Sequence, residues 1–137
     1  ATANLLVRRD FLSAHPFDNA FIGWGFEDVD WALSAAQHAP IAHIDNPATH
    51  AGLDDVDMLM RKCREAGPNF ARLARKHPHQ VARFAAHRAA RALKVAPQWL
   101  RGVFAWLARD PMGAAPMPLR CAALKLYRAS LYAEHLP

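Results

Sequence analysis

From Leu53 onward the chain carries the apolar rhythm of α-helices, cut by prolines too often for any one helix to dominate. Asp54, Asp55 and Asp57 stand where a helix would begin, and Asp54 or Asp55 is a natural cap for its free backbone N–H groups. The pattern predicts a helix from there to about Ala66, stopped by Gly67-Pro68-Asn69, with another break at His77-Pro78-His79. A long helix over residues 79–95 follows, ended by Ala96-Pro97. Trp99, Leu100, Val103, Phe104, Trp106 and Leu107 then cover one broad side of a helix that carries Arg101 and Arg109 on the other. After a proline- and glycine-bearing loop over 110–118, a last helix over 119–136 places Leu124, Tyr127, Leu131 and Tyr132 mostly on one side.

Ahead of residue 53 the rhythm differs. Residues 2–7 alternate weakly and residues 41–44 form a short apolar run, so both read as strands. Residues 10–14 read as a helical turn ended by His15-Pro16. Residues 27–38 read as a helix whose buried stripe is Val29, Ala32, Leu33 and Ala36. The expected class is α/β to α+β, with a sheet-bearing part over residues 1–52 and a helical extension over residues 53–137.

Charge divides at the same place. Residues 1–57 hold two basic and nine acidic side chains, and residues 58–137 hold fifteen basic and three acidic ones. An acidic front suits a site that works with carboxylates and a divalent metal. A basic back suits an anionic partner, or a solvated arginine face on alanine-rich helices. No nucleic-acid motif is present, and aromatics interleave little with the basic residues, so nucleic acid is not expected. At 137 residues the chain can bury one real core, and no apolar run approaches the length of a membrane span. Cys63 and Cys121 lie far apart without metal ligands at short spacing, which fits free thiols in the cytoplasm. His77, His79 and His87 sit in an arginine-rich, carboxylate-free setting and read as surface residues.

The stretch with chemistry in it is Gly23-Trp24-Gly25-Phe26-Glu27-Asp28-Val29-Asp30. Two glycines free the backbone around an aromatic plane, and a carboxylate pair follows at a helix start. A sugar can stack its C–H face on such a plane while a neighbouring carboxylate takes a proton from a hydroxyl. An acidic helix N-terminus also suits the helix dipole with no chemistry at all.

Residues 17–30, read as Phe-Asp-Asn-Ala-Phe-Ile-Gly-Trp-Gly-Phe-Glu-Asp-Val-Asp, resemble the acceptor-site segment of family 2 glycosyltransferases with the GT-A fold. Asn4-Leu5-Leu6-Val7-Arg8-Arg9-Asp10-Phe11 resembles the strand before it, and Ile44-Asp45-Asn46-Pro47-Ala48-Thr49-His50 the strand and loop with the family's late histidine. The likeness spans roughly residues 2–53. It departs from the family at Leu33-Ser34-Ala35-Ala36-Gln37, where an arginine-leucine pair is usual, and at Ala39-Pro40, where a glycine is usual.

The resemblance implies the acceptor-side part of a GT-A nucleotide-diphospho-sugar transferase, followed by a mainly α-helical extension. It implies transfer of a sugar from a nucleoside-diphosphate donor to a hydroxyl of a glycan or lipid-linked acceptor. Asp28 would be the general base, Glu27 would bind acceptor hydroxyls, and Trp24 would floor the pocket between Gly23 and Gly25. His50 would touch the divalent metal, Mn or Mg, or the diphosphate, and Asn4 and Arg9 would lie on the donor side. No Asp-x-Asp metal motif precedes the Gly-Trp-Gly stretch, and Asp28-Val29-Asp30 and Asp55-Val56-Asp57 fall at helix starts. Most of the metal site is therefore expected in a preceding donor half, and the isolated chain is expected to be inactive. The setting implied is the cytoplasm, with the inner face of the membrane as a place of attachment. The other reading is a non-catalytic basic helical module that docks on an anionic membrane surface or polyanion.

Overall fold

The computed structural model describes residues 4–47, 49 and 52–136, and every regular element among them is helical. These are α1 (Arg9–Ala14), α2 (Glu27–Ala35), α3 (Val56–Lys76), α4 (Pro78–Val81), α5 (Ala85–Leu93), α6 (Trp99–Arg109) and α7 (Met117–His135). The Asp55 carboxylate starts α3 by accepting the Met58 backbone N–H at 2.7 Å.

Gly67 and Pro68 do not stop α3, which runs for 21 residues to Lys76. A proline inside a helix removes one backbone bond and crowds the preceding turn. Burial of Phe70, Ala71 and Leu73 just beyond it offsets that loss. Gly67 serves packing rather than termination, since a Cβ there would meet the His135 ring of α7 at 2.7 Å. The helix expected over 79–95 is split instead. Phe84 takes an extended backbone and packs against the core, and α4 and α5 lie on either side of it.

α7 packs against α3, α5 and α6, so the core forms around it. Phe70 and Tyr132 stack with ring centroids 4.3 Å apart, and Phe26 leans on both at 5.2 and 5.7 Å. Leu73, Val81, Ala90 and Leu136 complete that cluster, with Phe21, Val29 and Leu33 from the front of the chain packed on its flank. A second cluster joins Met60 and Cys63 of α3 to Tyr127 and Leu131 of α7, closed by Phe104 of α6.

The α/β reading is overturned: among the described residues the chain is all-helical, with no strand and no sheet. Residues 5–8 and 40–47 have no regular structure, and Leu6 and Ile44 are largely exposed. Asn4 and Asn46 join the two segments through their side chains, Nδ2 of Asn4 donating to the Asn46 carbonyl at 2.7 Å. No backbone ladder accompanies that link among the described residues, and two short segments alone cannot sustain a sheet. The GT-A architecture goes with the strands. Among the described residues no helix is long and apolar enough to cross a membrane.

Burial raises two acids in this core, the Cys63 thiol and the Tyr132 phenol, each above its ordinary value. For both, the unfolded chain ionises first as pH rises. Stability is whole below the unfolded values and falls above about pH 8.5–10, by up to about 1.4 kcal/mol per pH unit for each group. Urea unfolding across this range should show that decline. Tyr132→Phe should flatten its upper part, and a stability that stays level through pH 11 (about one unit above the tyrosine value) would contradict it.

Candidate functional site

α2 is fastened to the end of α3 by a buried ionic cluster. Asp30, 2 % exposed, accepts from Lys76 Nζ at 2.8 Å through one oxygen and meets His77 Nε2 at 2.9 Å through the other. Lys76 also reaches Asp18 at 3.1 Å. The Asp18 carboxyl is held below its ordinary range by the Ala20 backbone N–H and then by Lys76. Burial pulls the Lys76 amine down, but the two aspartates outweigh it and the net shift is upward. Trp31 ties the same helix to α1, its indole N–H donating to the His15 carbonyl at 2.7 Å, and Phe17 stacks on the Trp31 ring at 5.3 Å.

Between Phe21 and α2 the backbone passes through three left-handed residues, Gly23 (φ 77°), Gly25 (φ 100°) and Phe26 (φ 75°). Glycine tolerates this region freely, whereas for phenylalanine it costs about 1–2 kcal/mol. The Phe26 ring, packed on Phe70 and Tyr132, offsets the strain. Asn69 of α3, buried, clamps the turn: its Nδ2 donates to the carbonyls of Ile22 and Gly25, both at 3.0 Å. Gly25 also sits tight on α3, since a Cβ there would lie 3.4 Å from that of Ala66.

The clamp leaves Trp24 on the surface, 47 % exposed, with Lys62 Nζ 5.4 Å from its ring centroid. Glu27 and Asp28 open α2 directly afterwards. The Asp28 carboxylate accepts the Val29 N–H at 2.8 Å, as an acidic first turn favours. Oε2 of Glu27 is buried and has no hydrogen-bond partner among the described residues. A buried carboxylate oxygen without a donor is costly, and a ligand hydroxyl is one group that could satisfy it.

Gly23, Trp24, Gly25, Glu27 and Asp28 thus share one loop–helix junction. Asn4 is engaged with Asn46, and Arg9 stands exposed at the start of α1, where Arg8 rather than Arg9 pairs with Asp10. No hydrogen bond or ion pair joins Asn4 or Arg9 to the junction among the described residues. His50 lies outside the described residues. No three histidine, cysteine, aspartate or glutamate side chains converge as a metal site would require among those described, so they give the implied divalent metal no holder.

Two features of the junction escaped the sequence reading. Asn69 stood in the expected helix stop, and its place on the Ala66–Phe70–Leu73 buried stripe emerges only once α3 runs through Pro68. His77, read as a surface residue, is 4 % exposed and holds Asp30. No family model matches this chain, and neither does any curated protein or solved structure.

Proposed function

We propose that the Gly23–Asp28 junction is the acceptor side of a glycosyltransferase, which moves a sugar from a nucleoside-diphosphate donor to a hydroxyl of a glycan or lipid-linked acceptor. The observation that carries this reading is a strained, Asn69-clamped turn that leaves Trp24 exposed, followed three residues on by Glu27, one oxygen of which is buried without a hydrogen-bond partner among the described residues. Left-handed backbone held in place by its surroundings clusters where ligands are bound. The indole offers a stacking plane, Glu27 accepts an acceptor hydroxyl, and Asp28 takes the proton of the attacking one. The donor nucleotide and its divalent metal fall to residues other than those described. Cys63 and Cys121, both free, accord with a reducing, cytoplasmic setting.

Saturation-transfer NMR with methyl glycosides of glucose, galactose, mannose and N-acetylglucosamine tests the acceptor side directly. At least one should bind saturably. Trp24→Ala should abolish that binding, and Glu27→Gln should weaken it about tenfold, the scale of one hydrogen bond to a charged group. Silence from all four glycosides, or binding indifferent to Trp24, would remove the reading.

A further inference from the structure

α6 has apolar side chains on two sides, and α7 covers only one. Phe104 and Ala105 pack toward the Met60–Tyr127 cluster, and Ala108 is fully enclosed. Trp99, Val103 and Trp106 recur at spacings of four and three on the other side, 66 %, 40 % and 51 % exposed. Val95 before the helix and Met112 and Met117 after it add to the exposed apolar surface at 92 %, 74 % and 64 %. Two tryptophans, two valines and two methionines in solvent make more apolar surface than isolated exposed residues would.

The charge of the chain on either side of α6 selects the partner. Residues 83–128 carry nine lysines and arginines against Asp110 alone. Asp110 is occupied in its own loop, accepting from the backbone of Ala114 and Ala115. Among the described residues only Arg101 and Arg109 of the nine are ion-paired, to Glu134 and Asp57. A second copy of this surface would bring the same unpaired cations and repel the first. A polyanion would engage the arginines with no need of the indoles. An anionic lipid surface matches both halves, taking tryptophan rings at its interface and drawing the basic side chains to its headgroups.

We propose that the Trp99–Val103–Trp106 face of α6 lies on an anionic bilayer surface, with the unpaired basic residues of α5–α7 facing the headgroups. This attachment is independent of the acceptor-side reading above.

Sedimentation of the full chain with phosphatidylcholine vesicles, with and without phosphatidylglycerol, tests it, and lipids brominated on their acyl chains report depth through tryptophan quenching. The chain should pellet with the anionic vesicles only, release in high salt, and show quenched tryptophan emission. Trp99→Ser/Trp106→Ser should lower the partition coefficient about tenfold or more, because each indole carries a large apolar area. Both side chains are exposed, so circular dichroism and the melting temperature should hold, and Leu6→Ser, removing an exposed apolar residue outside this face, should bind as the parent does. Binding undiminished in the double variant, or no binding to anionic vesicles, overturns the proposal. So does a dimer that the same variant dissolves, or a heparin complex indifferent to it, when vesicles do not bind.

Discussion

Asp30→Ala should destabilise the chain by about 3 kcal/mol, the range for breaking one side of a buried ion pair. The substitution leaves His77 enclosed without its partner, while Lys76, two-fifths exposed, can keep Asp18 or turn to water. Most of the cost therefore falls on the histidine. Asp30→Asn should cost less, since an amide oxygen can still accept one of the two bonds. Asp18→Ala should cost far less, because its carboxylate is open to solvent and screened. Urea unfolding of the three variants gives the ranking directly. An Asp30→Ala loss no larger than that of Asp18→Ala would show that the cluster merely decorates the end of α3.

On the acceptor-side reading proposed above, Asp28→Asn should lower glycosyl transfer by about 10²–10⁴-fold, as removal of a general base does. The change is isosteric, and the amide oxygen can still accept the Val29 N–H at the start of α2, so the fold should hold. Trp24→Ala should instead act mainly through acceptor KM, because stacking serves ground state and transition state alike. Rates at saturating acceptor separate the two effects. Near wild-type turnover for Asp28→Asn would exclude Asp28 as the base.

Legibility followed the range of the forces involved. A cap at Asp54 or Asp55, the break at His77-Pro78 and the start of a helix at Glu27 were readable because each depends on neighbours within one turn. The junction residues could be named from Gly23 to Asp28 because glycine freedom and an acidic first turn are local properties. Their support could not. Asn69 reaches back 44 residues to the Gly25 carbonyl, and His77 reaches back 47 to Asp30. Over their described residues, 4–7 and 41–44, the expected strands were misread because alternation and short apolar runs describe a possible strand, and only a paired neighbour makes one.

By itself, then, the sequence determined where α2 and α3 start, where the His77-Pro78 break falls, that the back of the chain is cationic, and which junction residues carry chemical groups. The tertiary structure decided that α3 runs through Pro68, that Phe84 divides the helix expected over 79–95, and that one apolar side of α6 is buried while the other meets solvent. Caps and proline breaks act within a turn and are set by adjacent residues. The rest depends on whether burial against another element outweighs a local preference, and that is decided only when α7 packs between α3, α5 and α6.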